Sequence, residues 1–366
     1  MAGKKEETSK KQKARRQALD QKARQDNTRA KSWAREWLDA ILFAAVAALI
    51  IRALFLEAYR IPTPSMESTL LTGDFLLVSK MHYGARTPMT VGIPFTGVYI
   101  QNLNLPWFRL PGFMDVRRDD ILVFNYPVDD DAVSQKTNYI KRAVGIAGDT
   151  LGIRDKVLYV NGEPETMEET YEQQYIVQVR ERLRLSPSKV RSSGGRVLQS
   201  SDNRYRINMT GEVASEMTGW PEVDDVQPFV LPVTSNDFAR QPFTFAQGFS
   251  GNYHHMPEFV VPFEGQAVTI SDETWHLYAD IVTRYEDNEV IRTDDLFVIN
   301  GDTTDQYTVQ QDYYFMVGDS RDNSEDSRFW GFVPEDHIVG RAWVIYFSWD
   351  GERFMPRFRR MLNRIN

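Results

Sequence analysis

The chain has 366 residues, 42% of them hydrophobic, so it exceeds one average domain and can bury a sizeable core. It has no cysteine, which excludes disulfides and thiolate metal sites without locating the protein, because extracytoplasmic proteins need not carry disulfides. Residues 1–36 hold twelve of the 43 Lys and Arg but five of the 51 Asp and Glu, so the rest carries a net charge of −15, which argues against nucleic-acid binding.

The composition of residues 1–57 predicts a basic tail followed by an apolar helix. The tail, residues 1–32, is polar and rich in Lys, Gln, Ala and Arg, and we expect it to be disordered or loosely helical. Residues 33–57 include the unbroken apolar run 40–51, and about twenty helical residues cross the roughly 30 Å hydrocarbon core of a membrane. Trp33 and Trp37 are placed as interfacial anchors.

We interpret residues 33–57 as a transmembrane signal anchor. A buried core helix is the alternative, but the basic flank favours a membrane span. A cleaved signal peptide is disfavoured because the run is followed by EAYR (residues 57–60) and by no small-x-small site. The positive-inside rule keeps the tail in the cytoplasm, so we predict a single-pass protein of the cytoplasmic (inner) membrane, in contact with the lipid bilayer, with its body on the extracytoplasmic face.

Short β-branched and apolar runs bounded by turn residues predict strands on both sides of a less regular middle region. They lie at residues 75–78, 120–127, 138–144, 157–163, 313–317 and 340–346. The predicted fold class is mostly β: an antiparallel core in two parts, 58–164 and 298–350, with a β-rich subdomain inserted at 165–297.

Two further segments carry exposed or core apolar residues, and each allows two interpretations. The Pro and Gly residues of 88–112 predict a loop there. Its apolar residues, with Trp107, Phe108 and the adjacent Phe113 among them, either enter the outer leaflet of the membrane or pack in the core. Residues 351–366 are basic and amphipathic, and either rest on anionic lipid or form a solvated terminal helix.

A candidate nucleophile lies just beyond the apolar helix, in IPTPSMESTL (residues 61–70). Pro62 and Pro64 force an extended or tight-turn path, which takes Ser65 out of any helix. A serine hydroxyl needs a base, and a lysine can serve only when neutral, which its ordinary pKa of about 10.4 forbids near pH 7. Burial lowers that pKa, and the strand NYIKRAVG (138–145) surrounds Lys141 with apolar residues while Arg142 points to the opposite face.

Taken alone, the residues around Ser65 predict a turn-forming serine, and those around Lys141 predict a surface lysine on an edge strand. A third segment, GDSRDNSEDSRFWG (residues 318–331), changes that interpretation. Together the three resemble the signature boxes of type I signal peptidases (leader peptidases), membrane-bound Ser/Lys endopeptidases, over about 57–82, 118–164 and 298–343, with the insert unmatched. The resemblance implies their antiparallel β catalytic core.

By this resemblance Ser65 is the nucleophile and Lys141 the general base. Thr63 stands where the family commonly has a serine that donates to the oxyanion, beside the backbone N–H of Ser65. Ser324 corresponds to the serine that orients the lysine amine. Three further residues are implied to support the site: Asp319 as the partner of Arg142, and the pair Asp326 and Arg328.

Three other departures from the family pattern leave the catalytic groups in place. Pro64 replaces a glycine and removes a backbone N–H, Ser320 stands where asparagine is common, and Asp119 where glycine is usual. Without a backbone N–H, position 64 has no main-chain donor to offer an oxyanion.

The implied substrate is a preprotein whose signal peptide is cleaved after small residues in an A-x-A pattern. The positions expected to line shallow pockets for those residues are Ile61, Met66, Leu70, Tyr139 and Ile140. The implied partners are preprotein signal peptides and the neighbourhood of the secretion translocon. No cofactor and no metal are expected, since the chain has five histidines and no H-E-x-x-H motif.

Two segments of the insert match catalytic motifs only in part. Ser186 to Lys189 match the S-x-x-K pattern, which needs a helix, and we expect a loop there because of Pro187. Residues 248–252 resemble a nucleophile elbow without its second glycine. Alternatives to a signal peptidase are a self-cleaving repressor-type Ser/Lys protease, disfavoured by the anchor, and an anchored β-rich binding module with a non-functional site.

Overall fold

The computed structural model describes residues 33, 35–93, 98–165, 171–293, 296–351 and 353–365. The predicted tail, residues 1–32, lies outside the described part. The chain divides into two compact units, Met1–Phe55 and Leu56–Asn366. In the first unit helix α1 (Arg35–Leu54) has 20 residues, a mean hydropathy of 2.1 over its most apolar stretch, and none of that stretch buried. By length and composition this helix suits a membrane span.

The second unit is built mainly from antiparallel strands. The first half of its strands are β1 (Leu56–Arg60), β2 (Asp74–Ser79), β3 (Thr90–Ile93), β4 (Val98–Asn104), β5 (Ile121–Asn125), β6 (Asn138–Gly145), β7 (Thr150–Arg154), β8 (Val157–Val160), β9 (Glu163–Pro164), β10 (Glu172–Val179), β11 (Arg196–Ser201) and β12 (Arg204–Thr210). The second half are β13 (Val223–Pro228), β14 (Met256–Val260), β15 (Ala267–Thr269), β16 (Val290–Thr293), β17 (Leu296–Ile299), β18 (Asp302–Thr303), β19 (Gln306–Thr308), β20 (Tyr313–Val317), β21 (Val333–Pro334), β22 (Ile338–Asp350), β23 (Met355–Pro356) and β24 (Asn363–Arg364).

Short helices connect these strands. They are α2 (Pro187–Ser192), α3 (Gly211–Thr218), α4 (Thr244–Gln247), α5 (Trp275–Asp280) and α6 (Ser327–Trp330). Single 3₁₀ turns lie at Pro64–Met66, Val133–Gln135, Phe238–Arg240, Glu335–His337 and Phe358–Arg360, and a π-helical turn at Ile281–Tyr285. The mostly β fold class predicted from sequence is confirmed.

One nine-stranded sheet positions the candidate site. Its strands run in the order β1-β2-β22-β5-β6-β20-β21, and β23 and β24 pair with β22. Strand β6 lies between β5, where Leu122 is opposite Lys141, and β20, where Val317 is opposite Arg142. Because the Gly318 segment follows β20 directly, this register brings it beside Lys141.

The middle region has two parts. Strands β10 to β13 form a separate sheet in the order β11-β12-β10-β13, and with α2 and α3 it buries its own core, including Val177, Ile207 and Met209. Strand β14 instead pairs with β7, and Phe245 and Phe259 pack with Phe315 of β20. The predicted β-rich insert therefore also contains four described helices, and its boundaries at 165 and 297 stay a prediction.

The prediction of a loop at Ser186 to Lys189 is wrong. Pro187 opens helix α2, and the Ser186 side chain caps its N-terminus by accepting from the Lys189 backbone N–H. Proline is favoured in the first turn of a helix because N–H groups there have no intrahelical acceptor, so the missing N–H costs no hydrogen bond. Lys189 Nζ pairs with Glu222 at 3.1 Å, and no hydrogen bond joins this amine to a serine hydroxyl in the described part of the chain.

The prediction of a solvated terminal helix at 351–366 is also wrong. Strands β23 and β24 add to β22, the Ile365 side chain is buried, and the Arg360 guanidinium lies 2.6 Å from the buried Asp74 carboxylate. Within the predicted 88–112 loop, β3 and β4 form a hairpin. Phe113 and Phe358 are exposed, and membrane contact by either segment stays a prediction.

Candidate active site

Ser65 lies in the 3₁₀ turn Pro64–Met66, between β1 and β2. The preceding Thr63 is extended, as the prolines around it require, and Pro64 occupies the first position of the turn. The turn is held on one side by the Met66 side chain, which is fully buried, and on the other by the Ser320 N–H, which donates to the Ser65 carbonyl at 3.1 Å. The turn that carries Ser65 is thus held by one buried side chain and one backbone hydrogen bond.

Lys141 is 3% exposed, and its Nζ lies 2.6 Å from Ser65 Oγ. Burial lowers the pKa of the Lys141 amine to about 8, with Asp326 opposing this shift and Arg328 adding to it. At pH 8 about half of the amines are therefore neutral. A neutral amine in hydrogen-bond contact with a serine hydroxyl can accept its proton.

Arg142, the neighbour of Lys141 on β6, is as buried as Lys141. Its Nε and one terminal nitrogen each donate to a different Asp319 oxygen at 2.8 Å, and the other donates to the Asp119 carbonyl. Burial alone would lower the pKa of Arg142, but the bonds to Asp319 raise it above its usual range. The pair therefore stays ionised inside the protein and fixes β6 to the Gly318 segment.

The Gly318 segment is folded around Asp326 and Arg328. Arg328 Nε donates to Asp326 Oδ1 at 2.8 Å, and the second carboxylate oxygen accepts from the Gly318 N–H at 3.1 Å. Burial would raise the pKa of Asp326, but the Arg328 charge and hydrogen bonds hold it below its usual value. This carboxylate thus anchors both ends of the turn that precedes α6.

Gly318 is the point of closest approach between the two halves of the site. A Cβ at this position would lie 2.3 Å from Ser324 Oγ and 2.5 Å from the Ser65 carbonyl oxygen. Only glycine fits there without displacing the turn that carries Ser65. No sequence pattern around Gly318 predicts this role, because it arises from the close approach of two segments distant in the chain.

The two orienting residues predicted from sequence lie near the pair, with different contacts. Thr63 Oγ1 is 3.5 Å from Ser65 Oγ. No hydrogen bond joins Ser324 to Lys141 within the described part of the chain; Ser324 lies instead over Gly318. The roles of Thr63 and Ser324 stay predictions.

Three of the five predicted pocket residues are buried in this structure. Ile61 is 2% exposed, and Met66 and Leu70 are 0% exposed, because they pack into one core cluster with strands β2 and β22. Tyr139 and Ile140 retain partly exposed side chains. The pocket roles of all five residues stay predictions.

An aromatic group beside Lys141 was missed by the sequence analysis. Tyr126 stacks on Tyr139 with 4.5 Å between ring centroids, and Trp330 meets both rings edge-on. The Tyr139 ring centroid is 6.0 Å from Lys141 Nζ. These rings help to exclude water from the amine. The sequence placed Tyr126 in the predicted strand 120–127 and Trp330 in the segment 318–331, far apart in the chain.

An antiparallel β body that holds a serine hydroxyl against a buried lysine amine is the arrangement of Ser/Lys hydrolases. The family described as signal peptidase, peptidase S26, matches residues 34–217 and 259–349 of the chain. The chain belongs to this family.

Curated relatives agree with this family over most of the chain. Signal peptidase I of Buchnera aphidicola subsp. Acyrthosiphon pisum is 28% identical over 87% of this chain and 77% of its own length. Signal peptidase I of Pseudomonas aeruginosa is 27% identical (86% and 73%), and that of Aquifex aeolicus is 25% identical (86% and 84%). The expectation that the whole insert would be unmatched is wrong, since the family match leaves out only residues 218–258 between its two segments.

Proposed function

We propose that the protein is a membrane-anchored serine endopeptidase that cleaves N-terminal signal peptides from secreted preproteins after small-x-small motifs. The observation that carries the proposal is the 2.6 Å contact between Ser65 Oγ and the buried Lys141 Nζ. Membership of the signal peptidase family and the names of the relatives support the substrate class.

In the proposed reaction Ser65 Oγ attacks the scissile carbonyl while its proton passes to neutral Lys141. The oxyanion is stabilised by the Ser65 N–H and the Thr63 hydroxyl. The Lys141 ammonium then gives its proton to the leaving amine, which departs with the mature protein. Water, deprotonated in turn by Lys141, releases the signal peptide from the acyl-enzyme and restores Ser65.

The substitutions Ser65→Ala and Lys141→Met test this proposal on a preprotein bearing Ala-x-Ala. Each should lower the cleavage rate by at least about a thousandfold, because nucleophile and base act as a unit. The matched controls are Ser186→Ala and Lys189→Met in the second serine–lysine segment, and both should cleave like the unchanged protein. Full activity of Ser65→Ala would exclude the mechanism.

A serine-directed covalent probe separates an enzyme from the alternative, an anchored binding module with a non-functional site. The proposal expects labelling of the unchanged protein and none of Ser65→Ala. Absence of both labelling and cleavage would favour the binding module.

We further propose that α1 anchors the protein in the cytoplasmic membrane, with the basic tail inside and the catalytic body outside, close to the translocon that delivers preproteins. Support comes from the apolar length of α1 and the basic residues before it. Since the chain has no cysteine, Ser9→Cys and Ser188→Cys provide clean reporters. A membrane-impermeant maleimide should label only the second in intact spheroplasts, and the reverse pattern would contradict this orientation.

A further inference from the structure

A cavity of about 420 Å³ lies against the Gly318 segment, between it and the β10–β13 sheet. Its walls include Arg206, Phe229, Arg240, Tyr253 and Ser324. Three of these, Phe229, Arg240 and Tyr253, belong to the stretch 218–258 that the family match does not cover. The cavity is therefore partly built by residues that lie outside the family match.

Two guanidinium groups in the cavity wall have no counter-charge. Arg206 lies over the Phe229 ring at 4.9 Å, and Arg240 is exposed. Across the described residues, neither has a carboxylate oxygen within 4.0 Å. An Arg held on an aromatic ring keeps its planar donors available for a carboxylate.

Of the other charged groups in the cavity wall, two already form ion pairs and one is a single carboxylate. Arg321 is bound to Glu165 at 2.8 Å, and Asp322 to Lys156 and His254. Asp237 contributes one carboxylate, which accepts from the Ser235 hydroxyl. Two unpaired cations against this one anion leave the cavity with a positive balance.

The cavity is also adjacent to the turn that carries the nucleophile. Ser324 forms part of its wall, and the same serine and the Ser65 carbonyl oxygen both crowd Gly318. Tyr139 and Ile140, the partly exposed positions expected to bind the peptide before the scissile bond, lie on β6 and do not line the cavity. The peptide residues left to occupy a cavity beside Ser324 are therefore those that follow the scissile bond.

From these contacts we propose that the cavity is a subsite for an acidic side chain, Asp or Glu, in the preprotein segment just after the scissile bond. The proposal rests on the proposed peptidase function for the identity of the ligand. Its chemistry is a carboxylate received by the Arg206 and Arg240 guanidiniums.

Binding to the full-length Ser65→Ala protein tests the subsite without consuming the peptide. The probes are fluorescent peptides that contain Ala-x-Ala and six following residues, with Asp at one of those six positions in turn and Asn at the same position as the reference. At one or two adjacent positions the Asp peptide should bind about threefold to tenfold more tightly in fluorescence anisotropy. Equal affinity of every Asp and Asn pair would overturn the proposal.

The double substitution Arg206→Gln with Arg240→Gln, made in the same background, should bring the Asp-to-Asn affinity ratio to about one. The matched control is Arg204→Gln, an exposed arginine of the same strand outside the cavity, which should keep the preference. A preference that survives the double substitution, or that Arg204→Gln removes equally, would overturn the proposal. Because each ratio compares two peptides on one protein, a general loss of folding does not imitate the result.

Cleavage of the Asn reference by the protein with Ser65 intact reports separately on the peptidase function. Failure of cleavage with the Asp preference retained would reject the function and keep a carboxylate site. Cleavage without any Asp preference would do the opposite.

Discussion

Burial sets the protonation of Lys141 more than any single neighbouring charge does. Asp326 raises its pKa and Arg328 lowers it, and these two side chains form an ion pair with each other at 2.8 Å. The effects of these two side chains on the pKa of Lys141 oppose each other. Desolvation therefore decides the direction of the shift and brings the pKa to about 8. The ion pair can therefore order the Gly318 segment without keeping the base protonated.

The pH profile of cleavage follows from this pKa. Only the neutral amine accepts the Ser65 proton, so kcat/KM should rise about tenfold per pH unit below about 8 and level off above it. Steady-state cleavage of a fluorogenic Ala-x-Ala peptide between pH 6 and 10 measures the inflection.

Removing an aromatic ring tests the cause of the shift. Tyr139→Ala admits water beside Lys141 and should move the inflection upward, toward the ordinary lysine value of 10.5. An unchanged inflection would show that this ring does not contribute to the desolvation of the amine.

At the scale of elements, the site depends on how β20 continues into the Gly318 segment. Strand β20 pairs with β6, and the segment turns back so that the Ser320 N–H reaches the Ser65 carbonyl. The C-terminal tail braces the other end of the nucleophile loop, since Arg360 donates to the Thr69 carbonyl at 2.8 Å as well as to Asp74. The turn carrying Ser65 is thus held by two segments distant in sequence.

Gly318→Ala tests the close approach of these elements. The added methyl overlaps the Ser65 carbonyl oxygen, which belongs to the backbone and cannot rotate away. We expect kcat/KM to fall about a hundredfold, the typical cost of displacing a catalytic group by an ångström, with the near-ultraviolet circular dichroism spectrum retained.

Gly351→Ala is the matched control, because no atom lies within 4 Å of the added methyl. It should cleave like the unchanged protein. Undiminished activity of Gly318→Ala would mean that the Ser65 turn adjusts freely and that this contact does not position the nucleophile.

At the scale of the whole molecule, the β10–β13 sheet is hydrogen-bonded directly to the Gly318 segment. Glu172 N–H donates to the Asp319 carbonyl, and Gln174 N–H to an Asp322 carboxylate oxygen at 2.7 Å. Asp322 also binds Lys156 and His254, so one buried carboxylate connects three segments. The middle region is therefore attached to the catalytic body at the site itself.

Asp322→Asn tests this connection through stability. The amide leaves Lys156 buried without a counter-charge, so we expect the free energy of unfolding in urea at pH 7 to fall by about 3 kcal/mol. Asp272→Asn, in an exposed pair with Arg292, is the control and should cost less than about 1 kcal/mol.

The same substitution should also change acid stability. Although burial alone would raise it, the pKa of Asp322 is lowered from 3.8 to about 2 by bonds to His254 and Lys156. A carboxylate with a depressed folded-state pKa stabilises fully above its unfolded pKa and loses that effect as the pH falls through about 2. The unchanged protein should lose about 2 kcal/mol between pH 5 and 2 that Asp322→Asn does not lose. Equal losses would contradict this role.

Local chemistry made the strands and the turn around Ser65 predictable. Alternating and β-branched runs indicate strands wherever the chain is half buried, and the prolines around Ser65 exclude a helix whatever lies nearby. Position within an element was harder to predict: Pro187 was interpreted as a helix breaker although it occupies the first turn, where proline is favoured.

By itself the sequence determined the apolar helix and the mostly β class, because each follows from the residues immediately around it. Ser65 and Lys141 were predicted only through the resemblance of three separate segments to one family. Only the tertiary structure decided that Met66 and Leu70 are core, that the tail joins β22, and that Arg206 and Arg240 share a cavity beside Ser324. Burial and charge balance depend on segments far apart in the chain, and the sequence near a residue does not specify which of them will meet.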